Sequence, residues 1–419
     1  MTRLQVHSLS MTSPPRHTPR PAAPRTRVAL SARPEAVRSD GDPEAARLLE
    51  RAFLSARDAD PRQLTHGFHS YPARFHPEVV RTLLAARGKP GALVCDPFCG
   101  SGTTLVEALV AGLRGVGSDL NPLALELARM KALGPTGAHQ KLPDELVAAA
   151  EAIGSASWLR VKARARTRTD GALWDDPTMY AAHVFRELVG LRELIDDQPG
   201  LGALTKRALL LSFSAILIKV SHQPSETGAG TVERTIGKGL PSRLFTQKAS
   251  ELAKGLRELF ARTPPGTPNP TVQRADARSL KHLDVGEVDL LVTSPPYLGT
   301  YDYAAHHARR LGWLGLSDQG IAKNEIGARR NAVDPAVAIA TWQSELDEVV
   351  AQIARVLAPG GSAFIVIGDS RVGSKAIAGD RPIRLAAKKT SLYVFASCAE
   401  LRKVGGRSTE EHLLELRHA

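Results

Sequence analysis

The segment VDLLVTSPPYLGTYDY, residues 288–303, places a hydroxyl, two consecutive prolines and a phenol directly after a run of β-favouring residues. Two prolines in succession fix two φ angles and remove two backbone donors, a costly way to end a strand. The turn gains rigidity from them. The Ser294 hydroxyl and the Pro295 carbonyl are acceptors held by a stiff Pro295-Pro296 backbone, and the Tyr297 ring offers a stacking surface. Acceptors fixed in this way suit a substrate that presents N–H groups. As a plain strand terminator the same turn would use Tyr297 only as a core residue, so its meaning depends on what else the chain carries.

The second concentration of chemistry is ALVCDPFCGSGTTLVEALVAGLRGVGSDLNPLALELARMK, residues 92–131. A short apolar strand runs into a glycine-rich turn, then a helix with Leu105, Leu109 and Val110 on its apolar face, then a second strand ending at Asp119. This is a βαβ unit. Gly100 and Gly102 allow a ligand to come close to the loop, and Asp119, about 20 residues beyond it, stands where an acid binds a ribose diol. The loop lacks the Lys-Ser/Thr pair of a triphosphate-binding loop, and the acid at its entrance, Asp96, suits a ligand with positive charge. S-adenosyl-L-methionine, a sulfonium nucleoside, meets both requirements.

Taken together, DPFCGSGTT, DLNP and TSPPY resemble the cofactor and catalytic motifs of the amino-methylating DNA methyltransferases, the cytosine-N4 and adenine-N6 enzymes. The resemblance extends from His66 onward, and the segment HGFHSYPARFHPEVVRTLL, residues 66–84, is similar to the one that packs beside the cofactor in that family. It implies an S-adenosylmethionine-dependent α/β, Rossmann-like methyltransferase fold. It further implies cofactor contacts from Tyr71, Phe75, Asp96, Pro97, Phe98, Cys99, Gly100, Ser101, Gly102, Thr103, Thr104, Asp119, Leu120 and Asn121. RADARSL, residues 274–280, resembles the family's third cofactor motif and makes Asp276 the acid for the adenine amine; a simple turn aspartate is the alternative.

The catalytic turn then acquires a physical role. An exocyclic amine is a poor nucleophile because its lone pair is delocalised into the base, so the site must bend it toward tetrahedral geometry and aim it at the methyl group. Ser294 and Pro295 accept from the amine, Pro296 stiffens the turn, and Tyr297 stacks on a base flipped out of the duplex. The chain has no Pro-Cys dipeptide, which disfavours a covalent carbon-5 mechanism. Within the family a leading Ser leans toward cytosine N4, and Asp or Asn toward adenine N6. The expected activity is therefore site-specific cytosine-N4 methylation of double-stranded DNA, in a restriction-modification or other defence setting with a cognate endonuclease or defence component as partner. An adenine-N6 or RNA methyltransferase is the second enzyme reading, and a noncatalytic nucleic-acid-binding protein is the rival from another class.

The elements that must hold these residues follow an α/β rhythm interrupted by a long helical stretch. The expected divisions are a flexible basic Pro/Arg-rich tail over 1–60, a cofactor half over 61–135, a mostly helical insertion over 136–270 with a possible target-recognition role, and a catalytic half over 271–419. In the insertion, Arg234, Lys238 and Arg243 are candidate DNA contacts, as is the basic run 160–169; Arg329 and Arg330 are candidates after the catalytic turn. A solvated face or surface ion pairs would use the same charges. Tyr301, Tyr303, His306 and Trp313 are candidate base-pocket or core residues, and VLAPGGSAFIVIGDS, residues 356–370, reads as a helix end, a Gly-Gly turn and a further buried strand.

Composition sets the outer limits. The 419 residues are 43% hydrophobic and carry a formal charge of +12, which is compatible with a polyanionic partner. Three cysteines without metal-ligand spacing lead to the expectation of no disulfide framework and no metal. No apolar run reaches a membrane span and no signal-peptide core opens the chain, so a cytoplasmic protein without membrane association is expected.

Overall fold

The computed structural model describes residues 37–163, 175–228, 230–331, 333–404 and 407–419. Ten strands are present among them: β1 (Val37–Gly41), β2 (Leu93–Asp96), β3 (Arg114–Asp119), β4 (Thr271–Arg274), β5 (Val288–Thr293), β6 (Leu357–Gly368), β7 (Ser370–Val372), β8 (Lys375–Ile377), β9 (Leu392–Val404) and β10 (Arg407–His418). Eight of them form one sheet in the order β1-β9-β10-β6-β5-β2-β3-β4, while β7 and β8 form a small separate hairpin. From β4 to β6 all neighbours are parallel. The edge made by β10, β9 and β1 is antiparallel.

Burial explains the strand sequences. All four residues of β2 are buried, as are five of the six in β5, because helices cover both faces of the parallel part. Helix Thr103–Val110 follows β2, helix Pro122–Lys131 follows β3, and helix Pro335–Val356 leads into β6. The second of these starts at Asn121, whose Oδ1 accepts from the Leu123 amide at 3.0 Å, with Pro122 in the first turn where its missing N–H is harmless.

The expected flexible tail over 1–60 is corrected from Val37 onward; residues 1–36 lie outside the described residues. Val37–Gly41 pairs with β9, and Pro43–Ala56 is a helix capped by Asp42, which accepts from the Glu44 and Ala45 amides. Leu48, Leu49 and Phe53 from that helix join a core cluster with Val79, Leu83, Cys398 and Leu413. The Pro/Arg composition of the preceding residues conceals an amphipathic helix that begins at DPEAARLLERAF.

Four long helices, Leu142–Lys162, Ala182–Asp197, Ala203–Ser214 and Leu240–Arg262, occupy the region between β3 and β4. Their core, including Leu146, Leu188, Phe213 and Phe245, is continuous with Leu123 and Leu127 beside the cofactor loop and with Trp313 beyond the catalytic turn. The helical region thus braces both motifs. No helix among the described residues is long and apolar enough to cross a membrane.

Candidate active site

The chain leaves β2 toward β3 on one side and meets β5 on the other, so a crevice opens beyond the carboxyl ends of β2, β3, β4 and β5. This crevice encloses about 740 Å³, part of it open to solvent, and is lined by Tyr71, Pro97, Phe98, Gly100, Asp119, Leu120, Asn121, Asp276 and Ser294, among others. Gly102 makes the loop possible. Its φ is +86°, and a Cβ there would lie 2.8 Å from Ala128 Cα in the helix behind.

Asp119 is fixed at the lip of the crevice. Its Oδ2 accepts from the Gly100 amide at 3.0 Å and its Oδ1 from the Asn121 amide at 2.9 Å. Burial pushes its carboxyl up to about 6, with those amides and that of Leu120 pulling the other way. The Asn121 Nδ2 atom is buried without a hydrogen-bond partner, although the residue lines the crevice. An acid placed for two hydroxyls, an unused amide donor and the Tyr71 and Phe98 rings fit the ribose and adenine of S-adenosylmethionine.

A pH dependence follows from Asp119. Hydroxyl donors bind the ionised carboxylate better than the neutral acid, so affinity is full above about pH 6 and is lost as pH falls through that value. Calorimetric titration of S-adenosylhomocysteine should show this loss, and Asp119→Asn should bind weakly at neutral pH with a flattened profile. An unchanged acid profile in the variant would remove Asp119 from the site.

Several expected cofactor contacts stand elsewhere. Asp96 is 4% exposed and does not line the crevice. Its Oδ1 accepts from Thr293 Oγ1 at 2.7 Å and the Phe98 amide at 3.1 Å, and its Oδ2 from Thr104 Oγ1 at 2.8 Å. It therefore joins the cofactor loop to the end of β5 rather than presenting charge to a ligand. Cys99, Ser101, Gly102, Thr103 and Thr104 also lie off the crevice lining, behind the loop surface. Ser101 there accepts from the fully buried Lys131 Nζ at 3.0 Å. Phe75 lines a second cavity instead. Asp276 does line the crevice, but its carboxylate is gripped by Arg278 through Nε at 3.0 Å and Nη2 at 2.7 Å.

The second cavity encloses about 1040 Å³ and adjoins the first, with Ser294 and Ala73 in both linings. Ala73 has φ +52°, an uncommon conformation for a residue with a Cβ, at the meeting point. The Pro-Pro turn is pinned from behind, because the Pro296 carbonyl accepts from Trp342 Nε1 at 3.2 Å. Pro295 is buried and lines neither cavity. Tyr297 lies against Gly368, where a Cβ would come within 2.7 Å of its ring. Its hydroxyl is 3.5 Å from Ser294 Oγ and donates to Glu411 Oε1 at 3.3 Å.

Tyr301, a candidate from the sequence, lines this cavity. Two further walls, Arg402 on β9 and Glu411 on β10, come from residues that the motifs did not reveal. The alternation of β10 was the available signal for Glu411, but only strand pairing brings it to the turn. Tyr303 lines the first crevice, within a stack in which Tyr71 and His307 have centroids 4.9 Å apart at 17°. Trp313 is core. Asp369, Glu410 and His412 come together beside the second cavity, but Asp369 already accepts from His412 Nε2 and from the Glu410 and Gly379 amides.

The candidate DNA contacts divide by how their charge is used. Arg234 donates to the carbonyls of Ile218, Lys219 and Pro224, holding its own loop together. Arg330 is paired with Asp302 at 2.5 Å and Glu325 at 2.7 Å. Both charges are engaged within the chain. Lys238, Arg243 and Arg329 are exposed, and of the run 160–169 only 160–163 falls within the described residues.

A DNA methylase family model of the N6/N4 type matches residues 46–130. Type II methyltransferase M.MjaII of Methanocaldococcus jannaschii is 38% identical over 80 residues, 19% of this chain and 15% of that protein. Type II methyltransferase M.BsoBI of Geobacillus stearothermophilus is 24% identical over 294 residues, 64% of this chain and 56% of that protein. A tRNA (guanine(10)-N2)-dimethyltransferase of Methanothermobacter thermautotrophicus is 40% identical over 52 residues, 12% of this chain and 16% of that protein. The chain thus spans little more than half of the longest-matching of these relatives and far less of the other two. Segment 46–130, which contains the glycine-rich loop, is thus similar to a DNA methylase model of the N6/N4 type, and the chain is similar over part of its length to type II methyltransferases.

Proposed function

We propose that the protein methylates the exocyclic amine of a base flipped out of double-stranded DNA, with cytosine N4 as the acceptor and S-adenosylmethionine as the methyl source. The observation that carries this reading is the junction of two cavities at Ser294, one fitted to a sulfonium nucleoside and the other walled by an acceptor turn and aromatic rings. When bound, the cofactor supplies an electrophilic methyl group. The chain's own residues orient the amine, with Ser294 as acceptor at the junction and Trp342 and Gly368 holding the turn and Tyr297 still. Ser294 in place of a carboxylate favours cytosine. The type II relatives support a restriction-modification setting with a partner endonuclease, and the exposed Lys238, Arg243 and Arg329 are the phosphate contacts of this reading.

The test is methylation of genomic DNA and of total RNA with labelled cofactor, followed by nucleoside mass spectrometry. N4-methylcytosine from DNA is expected. N6-methyladenine would replace the base assignment, and a methylated ribonucleoside would move the substrate to RNA, the reading favoured by the 52-residue similarity to a tRNA enzyme. Absence of both cofactor binding and methyl transfer would leave a noncatalytic nucleic-acid-binding protein.

A further inference from the structure

The second cavity holds a connected set of polar side chains that orienting the turn does not require. Ser294 Oγ donates to the Tyr297 hydroxyl at 3.5 Å, and that hydroxyl donates to Glu411 Oε1 at 3.3 Å. Glu411 Oε2 is held by Arg402 at 2.5 Å, and Arg402 is braced in turn by Glu400. All but Glu400 line the cavity. Each hydroxyl proton points away from Ser294 and toward Glu411. A serine that donates to tyrosine keeps both oxygen lone pairs for other partners.

We propose that Glu411 is a positioning residue for methyl transfer: through Tyr297 it turns the Ser294 hydroxyl into an acceptor for the substrate amine and takes up the proton that the amine releases. The idea rests on the amino-methyltransferase reading above. As the amine nitrogen bonds to the methyl carbon, sulfur keeps the electron pair of the bond that breaks, and the nitrogen becomes cationic. The nitrogen then gives one proton to Ser294 Oγ, the serine proton passes to the Tyr297 oxygen, and the tyrosine proton passes to Glu411 Oε1. The positive charge of the sulfonium and the negative charge of Glu411 disappear together, leaving a neutral methylated base, a thioether and a neutral carboxylic acid. A serine turn, lacking a carboxylate of its own, thereby gains one at two removes.

The surroundings suit a proton acceptor. Burial raises the Glu411 carboxyl above its ordinary range, and Glu400 raises it further, while Arg402, Tyr297 and His412 oppose the shift. Asp369 faces the same cavity from the end of β6, and Arg74 and His76 face it from the loop before helix Pro77–Arg87.

The experiment uses the full chain with Glu411→Gln, which keeps the side-chain shape. Single-turnover methyl transfer is followed from about pH 5.5 to about pH 9 with S-adenosylmethionine kept saturating at each pH, so that the weaker binding on Asp119 protonation does not enter the rate, beside affinities for S-adenosylhomocysteine and for the DNA duplex. The expected result is a rate lower by about 10–100-fold with both affinities unchanged, and loss of the acid limb that the wild type shows as Glu411 protonates. Glu411→Asp should restore part of the rate and the limb. Tyr297→Phe, which cuts the relay but leaves the Arg402–Glu411 pair, should reproduce the rate loss if the glutamine variant fails to fold. An active wild type whose Glu411→Gln form keeps its rate, or keeps its acid limb at reduced rate, overturns the relay alone. A wild type that binds S-adenosylhomocysteine but methylates no nucleic acid overturns the amino-methyltransferase reading and the relay with it.

Discussion

Ser294→Ala is expected to lower the single-turnover methyl-transfer rate by about 10²–10³-fold, the effect of removing one preorganised polar group from a reacting centre. Ser294 is the polar side chain common to both cavities, and on the proposed reading it stands between cofactor and base. The amine must give up planarity to expose its lone pair, and an acceptor for one of its protons helps only once it has begun to do so. The loss should therefore appear in the rate of transfer and not in the affinity for S-adenosylhomocysteine or duplex. Among the described residues Ser294 contributes no helix cap and no strand pair, and its side-chain hydrogen bond is the 3.5 Å approach to Tyr297, so thermal stability should change little. Rapid-quench measurement of methyl transfer, beside a melting curve, separates these effects. A variant with wild-type rate would reduce the Pro-Pro turn to a strand terminator.

The two acids of the cofactor half should fail in different ways. Asp96→Ala leaves the hydroxyls of Thr293 and Thr104 and the Phe98 amide without their shared acceptor, at about 1–3 kcal/mol for each buried unsatisfied group. Relief of a buried charge offsets part of this, since burial holds the Asp96 carboxyl up at about 6. A Tm drop of roughly 5–10 °C is expected. Asp119→Ala removes backbone amide contacts at the lip of the crevice and no side-chain partner among the described residues. It should melt near the wild-type temperature and bind S-adenosylhomocysteine about 100-fold more weakly, the loss of two hydrogen bonds to a charged acceptor. Calorimetry and melting curves on the two proteins together decide the matter. Equal stability with equal loss of binding would return Asp96 to the ligand.

The dual role of acids in one motif shows what a sequence conveys. Asp96 and Asp119 are equally prominent in it, each at the end of a buried strand. Which faces a ligand depends on the sheet order. Because β2 lies between β3 and β5, the Asp96 side chain meets Thr293 across the strand boundary, whereas Asp119 meets the Gly100 amide of the glycine-rich loop, the Asn121 amide of its own loop and the open crevice. The arginines divide for the same reason: Arg234 and Arg330 have carbonyls and carboxylates brought to them by chain folding, and Lys238 and Arg243 do not.

Local chemistry by itself determined the βαβ unit, the glycine-rich loop, the acid at the end of the second strand and the rigid acceptor turn, because each depends on residues close along the chain. It also carried the family resemblance, since the motifs are short and contiguous. The helix Pro43–Ala56 was equally local, yet the Pro- and Arg-rich stretch before it obscured its apolar face. Tertiary structure alone decided that two cavities meet at Ser294 and that Ala73 stands at their junction. It also decided that Glu411, 114 residues beyond Tyr297, reaches the hydroxyl of that ring. The reason is physical: β10 lies antiparallel beside β6, and β6 lies parallel beside β5, so strand order places the last strand next to the turn that ends β5. No spacing along the chain encodes that adjacency.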